Sequence, residues 1–178
     1  MLKYILAFIA LVVTLSVSAA ELNVALPERE GLVFDVPAGW RSQVNRPRAN
    51  LPPTIVLGSS DPRGFQVLVT PIWPMGNVQA PSRSDIRSLV QGAADNARPK
   101  AVEKTLPLTE LSGPGLFGYY FAATDRSPEP DGYKFLTQGA MAFGELRITF
   151  TVLANEGSKS ASAAALSMLR SLRRSRAD

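Results

Sequence analysis

The chain contains no cysteine and no histidine in 178 residues. The first absence excludes structural disulfides, thiol redox chemistry and cysteine nucleophiles, so stability must come from packing. Together the two remove Ser-His-Asp and Cys-His catalytic systems, histidine proton shuttles and ordinary zinc sites. An enzyme would be left with carboxylate, lysine, tyrosine or hydroxyl chemistry, and no cofactor is expected. Excess charge is scarce as well. Lys plus Arg number 19 against 15 Asp plus Glu, a formal net charge of +4, whereas a nucleic-acid binder carries a larger basic excess on one face. No apolar run suits a membrane-spanning helix of roughly 20 residues; the strongest, from Tyr4, fades by Leu15.

That run belongs to a recognisable leader. Lys3 gives the charged start, Tyr4 to Val13 the apolar centre, and Ser16-Val17-Ser18-Ala19-Ala20 the small-residue end, the three regions of a secretory signal peptide. Cleavage is expected after Ala20 or Ala19. With no cysteine available for acylation, the mature protein is expected free in the periplasm or secreted, with no membrane span after cleavage. The chain beyond the leader has the length of one domain.

Residues 21–31 read as an exposed lead-in. Leu32 to Val36 is a β-rich run stopped by Pro37-Ala38-Gly39, with Trp40 directly after it. Thr54 to Gly58 and Phe65 to Ile72 read as two strands of a hairpin. Ser82-Arg83-Ser84-Asp85 has capping-box spacing, and Ile86, Leu89, Val90, Ala93 and Ala97 then recur along one helix face until Pro99 stops the run. Four strands are expected next, over Ala101–Leu111, Leu116–Thr124, Tyr133–Phe143 and Glu145–Ala154, the last two in strict alternation about a tight turn at Gly144. A second helix, 160–173, lines Ala161, Ala165, Met168, Leu169 and Leu172 on one face. This order predicts an α+β domain over residues 32–173, with helices packed on a largely antiparallel sheet of six or seven strands, and a basic tail over 174–178.

Four phrases carry a family resemblance: Leu32-Val33-Phe34-Asp35-Val36-Pro37-Ala38-Gly39-Trp40; Gly118-Tyr119-Tyr120-Phe121; Tyr133-Lys134-Phe135-Leu136-Thr137-Gln138-Gly139; and Leu166-Ser167-Met168-Leu169-Arg170-Ser171-Leu172. With the order of elements, they make most of residues 30–173 resemble the PsbP-like superfamily, which includes the extrinsic P protein of photosystem II. The resemblance implies an antiparallel sheet between helices and a role in binding or assembly rather than turnover. It transfers no active-site residue, and a chain without histidine has no counterpart of a histidine-based metal site.

The remaining motifs are weak. Gly113-Pro114-Gly115-Leu116-Phe117-Gly118 fits the dinucleotide spacing, but that motif must open a helix onto the pyrophosphate, and here a β-rich run succeeds it. Asp125, Glu129 and Asp131 share one loop, yet lack the dense ligand pattern of a calcium site; a polar hairpin is expected and no metal. Trp40, Trp73, Tyr119, Tyr120 and Phe121 are the candidate lining of a ligand or partner groove. Arg170, Arg173, Arg174 and Arg176 are either a solvated helix end or a contact to an anionic envelope surface. The leading expectation is a non-enzymatic periplasmic protein that binds a partner protein or a small apolar ligand through a sheet edge or helix–sheet groove. The alternatives are a hydrolase or lyase using carboxylates such as Asp35 and Glu145, and surface association through the arginines.

Overall fold

Three nine-residue strands form the middle of the main sheet: β7 (Leu116–Thr124), β8 (Phe135–Phe143) and β9 (Leu146–Ala154). In β9 the alternation is complete. Leu146, Ile148, Phe150, Val152 and Ala154 are buried on one face, while Arg147, Thr149, Thr151 and Leu153 point to the other, as the period of a strand dictates. A computed structural model describes residues 19–27, 29–47, 51–61, 63–74 and 79–175, so the expected leader lies outside the described residues apart from Ala19 and Ala20.

The main sheet has seven antiparallel strands in the order β3-β4-β5-β9-β8-β7-β6, where β3 is Arg41–Asn45, β4 Thr54–Gly58, β5 Phe65–Ile72 and β6 Thr109–Gly113. A second sheet has three strands in the order β1-β2-β10: Ala20–Leu26, Arg29–Val36 and Arg173–Arg174. Helix α1 spans Arg83–Ala97 and α2 spans Ser160–Arg170. The α+β class, the antiparallel sheet and both helices agree with the sequence reading. So does the capping box: the Ser82 hydroxyl accepts from the Asp85 N–H while the Asp85 carboxylate accepts from the Ser82 N–H.

Two layers cover the main sheet unequally. Its inner face packs on the small sheet and α2, in one core that joins Leu32, Phe34 and Val36 to Ile55, Val69, Ile148, Phe150, Met168 and Leu169. Its outer face packs on α1, through Ile86, Val90 and Ala94, at Tyr119, Phe121, Ala123, Ala140 and Ala142. Those contacts lie on β7 and β8.

Four local expectations are corrected. Residues 21–31 are no exposed lead-in: Val24 and Leu26 are buried, because β1 pairs with β2 and turns alternate side chains onto the core. Residues 101–108 do not extend β6. After a single bridge between Ala101 and Asp125, the Glu103 carboxylate accepts from the Thr124 N–H and hydroxyl, satisfying with a side chain what a strand would satisfy with backbone; Pro107 also lacks the N–H that a ladder needs. Helix α2 ends at Arg170, where the Ser171 hydroxyl donates back to the Met168 carbonyl and accepts from the Asp35 N–H. Finally, Arg174 belongs to no free tail, because β10 pairs Arg173 with Val33 and Arg174 with Leu32.

Candidate functional site

Helix α1 covers one half of the outer face. Arg83 and Arg87 on one flank lie over the rings of Phe117 and Tyr119, at 4.8 and 5.5 Å, and so face β7. On the opposite flank Asp85 borders a concavity with Ile72 of β5 and Arg147 of β9. Leu89, one turn beyond Asp85 on the same stripe, is 42% exposed. The outer side chains of β4, β5 and β9 beyond that flank are therefore left uncovered among the described residues. Thr54, Val56, Leu68, Thr70, Ile72, Thr149, Thr151 and Leu153 are each only half-buried, whereas Phe121 and Ala140 under α1 are 0% and 1% exposed. This patch is apolar and hydroxylic, with the Thr54 and Thr70 hydroxyls 3.1 Å apart across strands. It is a shelf bounded by α1 on one side and the β3 edge on the other.

At one end of the shelf Trp73, Pro74, Pro81, Asp85, Glu145 and Arg147 line a concavity of about 220 Å³. Both of its carboxylates are engaged. Asp85 caps α1, and its hydrogen bonds from Ser82 hold its pKa below the ordinary value. Glu145 accepts from Arg174 at 2.8 Å and sits 3.6 Å from Arg29. Partial burial pushes its pKa up, but its own N–H and the two guanidinium groups outweigh that and leave it lowered. Arg29 in turn lies 5.5 Å from the centre of the Trp73 ring.

The five aromatic candidates do not line one groove. Tyr119 and Phe121 face α1, whereas Tyr120 packs on the opposite face of the sheet, as adjacent strand residues must. Trp40 packs on the inner core with its ring 4.6 Å from Phe65. Trp73 alone borders the shelf. Of the arginines, Arg170 is exposed, and Arg176 lies outside the described residues. Arg173 forks between Asp35 at 2.6 Å and Glu21 at 2.5 Å, and Arg174 is bound to Glu145. Intramolecular carboxylates thus take two of the four charges assigned to surface contact.

Of the two candidate carboxylates, Asp35 is paired with Arg173 and Glu145 with Arg174. In the loop after β7, Asp125 accepts from the Ser127 N–H, and among the described residues no group of three or more acidic side chains is placed to hold a metal. Within Gly113 to Gly118, Pro114 and Gly115 form the β6–β7 turn, with Gly115 at φ +69°, and the rest lie in the two strands. One hydroxyl pair, Thr137 to Ser162 at 3.3 Å, lies near Lys159. That lysine is exposed and bound to Glu156 at 3.0 Å.

This two-layered cover on a seven-stranded antiparallel sheet is a PsbP-like fold. The chain is similar to the solution structure of cyanobacterial PsbP (CyanoP) from Synechocystis sp. PCC 6803, with a TM-score of 0.53, 11% sequence identity, and coverage of 90% of this chain and 95% of that one. At that identity the likeness establishes the fold alone. No family model and no curated protein matches the sequence. Among the described residues no helix is long and apolar enough to cross a membrane.

Proposed function

We propose that this chain is a non-enzymatic protein, exported to the periplasm, that binds a partner protein on the uncovered half of its outer sheet face. The carrying observation is the contrast across that face: α1 buries Phe121 and Ala140 almost completely, while Leu68, Thr151 and their neighbours stay only partly buried on the same sheet. Contiguous exposed apolar surface on a small soluble domain marks an interaction site more often than chance. Shape favours a protein over a small apolar ligand: the uncovered region is an open sheet face, whereas small-ligand sites are enclosed clefts that bury most of the ligand. The non-catalytic part of the reading draws support from the carboxyl groups. Each resolved shift among the described ones, at Asp85, Glu103, Glu145 and Glu156, is downward, whereas a general acid at neutral pH needs its pKa raised.

Site-specific photo-cross-linking in the periplasm of the producing cell tests this. A photoreactive residue at Leu68 or Thr151 should give a discrete higher-mass adduct, and one at Gln91, on the solvent side of α1, should not. Equal adducts from all three positions, or none from the sheet positions, would overturn the reading. Intact mass of the periplasmic fraction checks export, with an N-terminus at Glu21 or Ala20 expected.

A further inference from the structure

The boundary of the shelf at β3 differs in kind from its other limits. Strand β3 ends the main sheet, so its outer edge meets no other strand among the described residues. Arg41, Ser42, Gln43 and Asn45 are exposed there. The opposite edge, β6, is approached closely by α2: a Cβ built on Gly113 would stand 2.9 Å from the Arg170 carbonyl. Charge distinguishes β3 further. From Val36 to Ser60 the chain has no Asp or Glu, but it has Arg41, Arg46 and Arg48. The whole edge hairpin therefore carries positive charge with no internal carboxylate to offset it, and Arg41 makes no ion pair among the described residues.

Beside Arg41 the outer face dips. In register, Arg41 stands opposite Gly58, and Gly58 opposite Gln66. The missing side chain at Gly58 leaves a concavity of about 330 Å³, walled by Arg41, Gln43, Ser59, Gln66 and Tyr133. Leu57 and Phe65 border it too, yet their side chains are buried on the inner core, so they present backbone. Its φ is not positive, so no backbone conformation calls for glycine here; an added Cβ would stand 3.2 Å from the Phe65 carbonyl, a close contact that the strand pair absorbs only by a shift of a few tenths of an ångström. A glycine that weakens a strand without a conformational reason often marks a close approach by another chain or ligand.

From the open edge, its unbalanced charge and the dip at Gly58, we propose that β3 accepts an extended, acidic segment of the partner protein as an eighth strand. One carboxylate of that segment enters the concavity over Gly58, against Arg41. Main-chain hydrogen bonds along the free edge supply affinity, and side-chain pockets supply selectivity, as in other strand-addition complexes. This inference rests on the partner-binding reading and gives that partner a chemistry. The competing account is that the arginines only blunt the edge against aggregation.

The probe is a synthetic extended peptide alternating glutamate with valine and threonine, compared with its lysine-for-glutamate counterpart. Backbone amide NMR of the mature chain provides the readout. The glutamate peptide should shift the amides of residues 41–45 and Gly58 saturably and slow their hydrogen exchange, and the lysine peptide should not. Arg41→Glu should weaken that binding at least tenfold, and Gly58→Leu, which fills the dip without changing charge, should do the same. Arg41 is exposed, so its variant tests the idea even if the leucine variant fails to fold. An equal response to both peptides, no saturable response, or shifts centred away from β3 would overturn the proposal and leave the arginines as edge guards. If the Leu68 cross-link persists in that event, only this inference falls. If the cross-link is absent as well, the partner-binding reading falls with it.

Discussion

Adding one methyl group at Gly139 should cost more stability than removing a surface loop side chain, whereas adding the same group at Gly92 should increase it. Gly139 sits in β8 between Phe150 of β9 and Tyr120 of β7. A Cβ there would lie 2.6 Å from the Phe150 Cζ and 2.7 Å from the Tyr120 Cβ, and closer still to the Tyr119 carbonyl oxygen. The Phe150 ring is 1% exposed and has no room to retreat; the carbonyl belongs to the sheet ladder and cannot turn away. Overpacking of a tight core costs about 1–3 kcal/mol, and backbone involvement puts Gly139→Ala at the top of that range, about 3 kcal/mol. Gly92 lies on the exposed side of α1 with nothing within 4 Å of an added Cβ. Gly92→Ala should therefore stabilise by about 0.5–1 kcal/mol, the cost of glycine inside a helix. Urea unfolding followed by circular dichroism measures both, with unchanged slopes required for the comparison. Adding Phe150→Leu to Gly139→Ala withdraws the ring tip but not the carbonyl, so a double-mutant cycle should show partial coupling only. A Gly139→Ala protein within about 0.5 kcal/mol of wild type would refute the placement of the Phe150 ring over β8.

Three further outcomes rest on the same packing and charge arrangement. Leu169→Asp sets an unpaired carboxylate against the inner core at a position 0% exposed and should cost several kcal/mol, enough to unfold a domain with about 5–15 kcal/mol of total stability; loss of the cooperative thermal transition is the readout. Ser82→Ala should lower stability by about 1 kcal/mol, and preferential loss of amide protection in the first turn of α1 locates the effect. The folded-state pKa of Glu145 is lowered from 4.5, so its contribution is present above 4.5 and is lost as pH falls through the folded value. Glu145→Gln should accordingly be less stable than wild type at neutral pH, with the gap narrowing below 4.5 in pH-dependent urea midpoints; a gap constant across that range would show that Arg174 and Arg29 do not hold this carboxylate ionised.

Much of the fold was legible because its longest elements obey one period each. Phe150 and its neighbours alternate, α1 is capped and stopped by residues with a mechanism, and Gly144, at φ +58°, makes the tight β8–β9 turn. The misreadings concern short elements, some of them with partners remote in sequence. Strand β1 puts Leu22, Val24 and Leu26 on the core in a short alternation that its exposed polar neighbours Glu21 and Asn23 made easy to read as a lead-in, and β10 is two residues long and is fixed by Val33 and Leu32 of β2. Glu103 looks like one more strand residue until Thr124 is placed beside it. The aromatic cluster failed for a different reason. Tyr119, Tyr120 and Phe121 are consecutive, and consecutive strand residues cannot share a face.

The shelf itself is a matter of counting, once the pairing order is known. Strands lie about 4.8 Å apart, so a seven-stranded sheet is on the order of 30 Å wide, while a helix with its side chains is about 10–12 Å across. One helix can therefore cover two or three strands, and α1 covers β7 and β8. The small sheet and α2 both lie on the inner face, so among the described residues no second element covers the outer face at β4, β5 and β9. That side must present its alternate residues to solvent or to something else. Threonine and aliphatic side chains, with Gln66 and without lysine or glutamate, occupy those positions, and the lone strongly charged side chain among them on β9 is Arg147, at the end nearest Trp73. A sheet face meant only for water gains little from Val56 and Leu68 directly opposite each other, with Leu153 on the diagonal. Their presence beside an edge strand with unbalanced positive charge is what favours a partner over bare solvent on this side of the molecule.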